Sequence, residues 1–326
     1  MSEFRALVAS EISPGVYECK ISNLPFPNDK EGHSIIRVSY SSLNYKDALS
    51  AKGNRGVTRS YPFVPGIDAS GTILKSTDAS LKNGDQVIVT GYDLGMNTFG
   101  GFGEIIQVPN EWIVKLPETL SLLEAMQLGT AGLTAAASVY ELKDIRSHLP
   151  ILVTGATGGV GSIALKLLQH LDFDVQVITG KPDSKLFTNL DQGSIINRSD
   201  FENSDLKPLV AAKFIGAVDT VGGQILNRIF PLVDRKGIIT ICGMVSGPEI
   251  NTTVFPFILR GIRLIGIDSA ESPRTYKEEL WQLLSSDWKI DLRDQSKIVK
   301  LDAMPDEINK IHSGLQEGRV VLQHGE

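Results

Sequence analysis

The sequence predicts an α/β protein of two domains, a β-rich one and a doubly wound parallel sheet covered by helices. Three observations lead there. The chain has 326 residues, more than the roughly 100 to 200 of one domain. Its first 120 or so residues run in short alternating segments broken by tight turns. From residue 151, ILVTGATGGVGS joins a β-branched apolar run to a glycine-rich turn and then to the helical pattern IALKLLQHL.

In order along the chain, HSIIRVSY, GTILKS, DQVIVTG and GEIIQVP read as strands, punctuated by Pro65-Gly66, Asn83-Gly84, Gly100-Gly101 and Pro109. Ser121 with Glu124 three residues on forms a capping-box pattern, and AMQLGTAGLTAAASVYEL continues it as an alanine-rich helix. The strand candidates ILVTG, DVQVITG, AVDTVGG and GIITICG then alternate with helical stretches, the pattern of a parallel sheet and of a Rossmann-like second domain. After RLIGIDS come one amphipathic helix near TYKEELWQLLSS and a last strand, GRVVLQ. That tail is too short for a third domain and is expected to return to the first. No internal repeat and no low-complexity segment is visible.

The glycine turn is a nucleotide-phosphate site by context. Its fingerprint is Ala156-x-Gly158-x-x-Gly161, between a strand and a helix. Gly158 lets the backbone approach a pyrophosphate, Gly161 lets the helix pack close on the strand, and the helix N-terminus offers unpaired N–H groups. A P-loop is excluded, because no Lys-Ser or Lys-Thr pair follows the last glycine. The same stretch also spells TGxxxGxG, as in short-chain dehydrogenases. None of the seven tyrosines has Lys four residues on, and a long β-rich segment precedes the turn, so that class is set aside.

At the end of the second strand of the sheet, where an NAD site would place an acid, stand Thr179, Gly180 and Lys181. A hydroxyl and a cation suit a 2′-phosphate, which favours NADPH over NADH. Asp183 is the nearby dissenting acid, and it reads equally as a helix cap. Arg198, after the third strand, either closes over the same phosphate or is a solvated loop arginine.

Composition limits the rest. Hydrophobic residues make 42% and charged residues 21% of the chain, as in a globular protein in water. The net charge of −6 gives no global attraction to nucleic acid. Cys19 and Cys242 form neither a disulfide framework nor a metal lobe, which fits a cytoplasmic location. No membrane helix or targeting segment is visible. The histidines, His33, His148, His170, His312 and His324, are scattered without ligand spacing, so no metal is expected. No GxSxG elbow occurs, and Cys242 in ITICG reads as a buried strand-end thiol.

SSLNYKD at 41 to 47, PGIDASGT at 65 to 72, GTAGLTAA at 129 to 136, TGATGGVGS, VDTVGG, PFILRGIRLIGIDS and the terminal Gly318-Arg319 together resemble the medium-chain dehydrogenase/reductase superfamily. Within it, SSLNYKDAL, PFILRGIRLIGIDS and EGR resemble the zinc-independent acryloyl-CoA reductase branch, also labelled quinone oxidoreductase (YhdH/YhfP-like). Where zinc-dependent relatives carry a Cys and a GHE motif, this chain has Asn44 and Gly66-Ile67-Asp68. The resemblance implies a GroES-like catalytic domain, 1–122 with 269–326, a Rossmann NADPH-binding domain, 123–268, and a cleft between them for nicotinamide and substrate. It places Tyr45 beside the nicotinamide and Thr157, Gly158, Gly159 and Val160 on the pyrophosphate. Thr179, Gly180, Lys181 and Arg198 fall at the 2′-phosphate end, where Lys in place of the family's usual Arg gives up a bidentate fork. Met244, Ile258, Ser269 and Arg319 take the remaining cofactor positions, although Met244 and Ile258 read equally as core packing. The strand near Arg263 to Asp268 implies a homodimer, paired edge to edge.

The reaction so implied is NADPH-dependent reduction of an activated C=C bond, acryloyl-CoA to propanoyl-CoA, without metal. Tyr45 and Asn44 are the candidate donors to the developing enolate, with a packed strand-end tyrosine as the lesser alternative for Tyr45. Lys52, Arg55 and Arg59 in KGNRGVTRS offer cations for CoA phosphates, unless that loop is only a solvated surface. Quinone reduction at the same site is the alternative. An NADPH-binding sensor with negligible turnover is the alternative of another class.

Overall fold

The computed structural model describes residues 2–203, 207 and 209–325. In chain order the strands and longer helices are β1 (Glu3–Ser13), β2 (Val16–Pro25), β3 (His33–Ser42), α1 (Tyr45–Ala51), β4 (Asp68–Ser76), β5 (Gln86–Thr90), β6 (Ile105–Pro109), β7 (Val114–Lys115), α2 (Leu122–Tyr140), β8 (Ile151–Thr154), α3 (Gly159–His170), β9 (Val175–Thr179), β10 (Ile195–Asn197), α4 (Arg198–Asn203), β11 (Phe214–Asp219), α5 (Gly223–Ile229), β12 (Val233–Ile241), α6 (Phe255–Arg260), β13 (Arg263–Gly266), α7 (Arg274–Ser285), β14 (Ser296–Val299), α8 (Met304–His312) and β15 (Arg319–Gln323). They fall into two compact units: Met1–Thr130 with Ser269–Asp287 and Asp291–Glu326, and Ala131–Asp268 with Trp288–Ile290.

In the first unit β1 and β2 form a hairpin, and a larger sheet runs β14-β15-β3-β4-β5-β7, with β6 also paired to β3. All its pairings are antiparallel except β14 with β15. Alternation produces this layer: in β1, Phe4 and Ala6 turn inward while Glu3 and Arg5 face out. One core joins Leu7, Ile35, Leu43, Phe102 and Val320 to Ala48 and Ala51 of α1 and to Met304 and Ile308 of α8. The returning segment is tied in by Lys277, whose buried Nζ donates to the carbonyls of Thr90 and Ala270.

In the second unit a six-stranded sheet runs β10-β9-β8-β11-β12-β13, parallel throughout. β8 is buried at every position, as a strand covered on both faces must be. The strand order steps outward in opposite directions from β8 and β11, so loops at the carboxyl ends of the strands open beside a change of direction, where open α/β sheets bind ligands.

The structure corrects the sequence reading at three places. Tyr45 begins helix α1 and does not end a strand. The tail holds a second amphipathic helix, α8, and a strand, β14, besides the helix and strand expected. The alanine-rich helix does form, with the Ser121–Glu124 box at its start: the Glu124 N–H donates to Ser121 Oγ and the Ser121 N–H to Glu124 Oε2. It is nevertheless broken at Gly129, whose φ of 55° and ψ of −156° belong to glycine alone.

Candidate active site

In the second unit β8 ends at Thr154 and α3 begins at Gly159, so the turn between them occupies four residues. The Gly158 N–H donates to the Gly155 carbonyl, which tightens the turn. A Cβ on Gly161 would stand 2.4 Å from that same carbonyl oxygen, which is why the helix approaches the strand so closely only with glycine there. Thr157 to Val160 are half-buried, and the first turn of α3 carries no acid. The leading N–H groups of this helix, without partners of their own within it, form a seat for an anion. Asp219 at the end of β11 braces the turn from beneath. Its carboxylate accepts from Thr154 Oγ1 at 2.6 Å and from the Gly222 N–H at 2.8 Å, while burial pushes its carboxyl above the usual range.

The next two strand ends carry the second group of expected residues. Thr179 closes β9 and lies opposite Asn197 of β10, so Arg198, the first residue of α4, comes up beside Gly180. A Cβ on Gly180 would meet Arg198 Nη2 at 2.7 Å, so the guanidinium lies across this glycine. The Lys181 N–H donates to Thr179 Oγ1 and turns the chain. Thr157 to Val160, Thr179 to Lys181 and Arg198 thus gather at the carboxyl ends of three adjacent strands. Met244 follows β12 and Ile258 lies on α6. Both are largely exposed, at 70% and 73%, so neither packs in the core.

In the first unit the expected residues Asn44, Tyr45 and Arg319 come together around two carboxylates the sequence reading missed, Asp47 and Asp68. Asn44 caps α1: its N–H donates to Asp47 Oδ2, and its Nδ2 donates to Asp68 Oδ2 at 2.8 Å and to the Ser42 carbonyl at 3.2 Å. Both amide hydrogens are therefore spent, and Asn44 has none left for a substrate oxygen. Asp68 also accepts from Ser42 Oγ at 2.5 Å and from the N–H and Oγ1 of Thr130 at 2.9 and 2.5 Å. Asp47 accepts from the Gly66 and Ile67 N–H groups. Arg319 is buried; its Nε and Nη1 donate to the Gln127 and Leu43 carbonyls and to Asn44 Oδ1. Burial lowers its pKa while Asp68 and Asp47 hold its charge in place. Burial, with the Asp68 charge beside it, pushes the Asp47 carboxyl up to about 7.

On top of this locked cluster sits Tyr45, 42% exposed, with its ring facing the His312 ring at a centroid distance of 6.3 Å and an interplanar angle of 12°. Ser269 is buried at the start of the returning segment. The pattern that could have revealed Asp47 is the capping relation itself, an Asn followed three residues later by an acid. Asp68 carries no such mark, because its partners come from three separate segments.

In the basic loop two of the three cations are engaged within the chain. Arg55 pairs with Glu11 at 2.5 Å, donates to the Arg59 carbonyl and lies 4.9 Å over the Tyr61 ring. Lys52 donates to Asn309 Oδ1. Cys242 is half-buried, with its thiol donating to the Asp219 carbonyl and its pKa pushed up to about 12 by loss of solvent, as an inert thiol should be.

Comparison with known proteins agrees with this geometry. The alcohol dehydrogenase GroES-like domain family matches residues 30–118, and the zinc-binding dehydrogenase family matches residues 159–286. The chain is 39% identical to YhfP of Bacillus subtilis, which carries a quinone oxidoreductase name, over 97% of this chain and 96% of that one. The crystal structure of YhfP with NAD bound superposes with a TM-score of 0.92 and covers 99% of this chain and 100% of that one. The acrylyl-CoA reductase AcuI of Ruegeria pomeroyi is 36% identical over 98% of both chains. The yhdH oxidoreductase of Salmonella enterica in complex with NADP gives a TM-score of 0.89 at 33% identity, covering 98% of this chain and 100% of that one.

The zinc in one family description finds no ligand set here. Among the described residues no group of three or more His, Cys, Asp or Glu side chains is placed to hold a metal ion. The Asp47 and Asp68 carboxylates already act on the buried Arg319 charge, a poor setting for a second cation. Among the described residues no helix is long and apolar enough to cross a membrane.

Proposed function

We propose that this chain, which belongs to the quinone oxidoreductase/acrylyl-CoA reductase branch of the medium-chain dehydrogenase/reductase superfamily, is an NADPH-dependent reductase of activated C=C bonds, with acryloyl-CoA as substrate. One observation carries the reading: a glycine turn and a 2′-phosphate corner assembled on adjacent strand ends in one unit, with an exposed tyrosine on a rigid polar base in the other.

The residues present fit the cofactor. The N–H groups at Thr157 to Val160 would hold the pyrophosphate, and Thr179, Lys181 and Arg198 would hold the 2′-phosphate. Met244, Ile258, Ser269 and Arg319 complete the set by family likeness. When bound, a reduced nicotinamide supplies a hydride to an electron-poor carbon.

This chain's residues do the remaining work. Hydride addition at the β-carbon of an enoyl thioester pushes charge onto the thioester oxygen and leaves the α-carbon needing a proton. With both Asn44 hydrogens spent, the Tyr45 hydroxyl is the donor for that oxygen, held on a base that does not have to reorganise as charge develops. Asn44, Asp47, Asp68 and Arg319 keep the first turn of α1 in place and so fix where Tyr45 stands.

A quinone substrate is the second reading, favoured by Arg55 and Lys52 being occupied within the protein, which leaves fewer cations for CoA phosphates. NADPH oxidation measured with acryloyl-CoA, with 1,4-benzoquinone and with NADH in place of NADPH, at low and high salt, separates them. Salt-sensitive turnover of acryloyl-CoA is expected. Activity confined to the quinone sinks the thioester assignment, and silence with both points to a binding protein.

We further infer a homodimer through the unpaired edge of β13. Beside it in sequence, Val254, Phe255, Ile258 and Leu259 are all at least half exposed, more apolar surface than a bare edge usually leaves in water. Sedimentation of the purified protein gives the mass, and a monomer at micromolar concentration overturns this.

A further inference from the structure

α1 is only seven residues long, too short to hold its own geometry, yet it carries Tyr45 at its first position. The structure supplies the missing rigidity from α8. Ala48 and Ala51 of α1 share one apolar cluster with Met304 and Ile308 of α8, and Ile311 packs against it. Two contacts then fasten the ends of the short helix. At the C-terminal end, Lys52 Nζ donates to Asn309 Oδ1 at 2.6 Å. At the N-terminal end, the Tyr45 ring lies nearly parallel to that of His312. Asn309 and His312 are three residues apart, so one face of α8 holds both ends of α1.

The second contact bears on chemistry. The backbone of Tyr45 is fixed by the Asn44–Asp47 cap, but a phenol ring still turns about two bonds, and this ring is 42% exposed. A neighbour lying parallel to it restricts that turning. We propose that His312 is a positioning residue, whose imidazole sets the plane of the Tyr45 ring and with it the place where the hydroxyl meets the substrate oxygen. The proposal rests on the reading of Tyr45 as the donor in a reductase.

The test compares His312→Ala, His312→Phe and each of them combined with Tyr45→Phe in steady-state reduction of acryloyl-CoA by NADPH, with NADPH affinity read separately by fluorescence. His312 is exposed, so these variants fold. His312→Ala should lower kcat about two- to tenfold, the range of an aromatic pair, while KM and the Kd for NADPH move less than about twofold. His312→Phe, which keeps a flat ring without the nitrogens, should restore most of the loss. In the Tyr45→Phe background, His312→Ala should cost nothing further, because there is no hydroxyl left to place.

Unchanged kcat in His312→Ala overturns the proposal, as does an equal loss in the Tyr45→Phe background, which would mark a role in folding alone. If the unsubstituted protein reduces neither acryloyl-CoA nor benzoquinone, the reductase reading fails and the positioning role falls with it. The ring-current shift of the Tyr45 ring protons between the parent protein and His312→Ala then still reports the contact, so the two failures remain distinct.

Discussion

Replacing Asp68 by Asn tests whether the polar base under Tyr45 is held by charge. The carboxylate is fully buried and accepts four hydrogen bonds, from Ser42 Oγ, Asn44 Nδ2 and both the N–H and the Oγ1 of Thr130. An amide of the same shape keeps its oxygen toward the first three of these, and the Thr130 hydroxyl can reverse to accept from the new NH2. What goes is the charge. Three charge-assisted bonds fall to neutral ones, a loss of about 1 kcal/mol each, and Arg319 keeps only Asp47 as a counter-charge. The sum, about 3 to 5 kcal/mol, matches the cost of removing one partner of a buried pair. Urea unfolding followed by tryptophan fluorescence should show the midpoint lowered by about 1 to 2 M. Adding Arg319→Met should recover part of that loss, because the orphaned charge is then gone too. A midpoint unchanged by Asp68→Asn, or a double variant whose losses simply add, would refute this account of the cluster.

Two more outcomes follow from the geometry. The Asp47 carboxyl is pushed up to about 7 in the folded chain, against an ordinary value near 4, so the folded state binds more protons across that window. Its contribution to stability is therefore largest below pH 4 and is lost as pH rises toward 7, and Asp47→Asn should flatten the slope of urea midpoints between pH 5 and 8. A slope unaltered by Asp47→Asn contradicts the assignment. Arg198→Ala should raise the Kd for NADPH roughly 10- to 100-fold, the value of a charge-assisted phosphate contact, with NADH affinity unchanged in fluorescence titration. Equal weakening of both cofactors would show that Arg198 does not read the 2′-phosphate.

The second unit was the easier to read in the sequence, because its signals are local. ILVTGATGGVGS spells strand, turn and helix within twelve residues, and Thr179 to Lys181 sit where a strand of that length must end. The first unit depends on partners distant in sequence. Asp68, Thr130 and Arg319 come from three separate segments, and nothing in the text around any of them announces the others. Gly129 was hidden for another reason: an alanine-rich run reads as an unbroken helix, and only its φ of 55° shows the break. α8 escaped because its apolar signal is just Met304, Ile308 and Ile311 in a charged segment, although that spacing is helical. Arg55 looked like a cation for phosphates because charge is visible in a sequence, whereas the Glu11 carboxylate and the Tyr61 ring that occupy it are not.

The place of β15 sets an order on the making of this protein. β15 lies inside the larger sheet, between β14 and β3, yet it follows every other strand of that sheet in sequence. The second unit, nearly continuous from Ala131 to Asp268, can close while the chain is still growing. The first unit cannot. Until Arg319 to Gln323 emerge, Tyr40, Ser41 and Ser42 of β3 lack their β15 partners, and Asp68 lacks the guanidinium that balances its charge. The first unit, whose segments flank the second in sequence, therefore closes after it and holds an open strand edge until β15 arrives, the state in which nascent chains are most exposed to wrong partners.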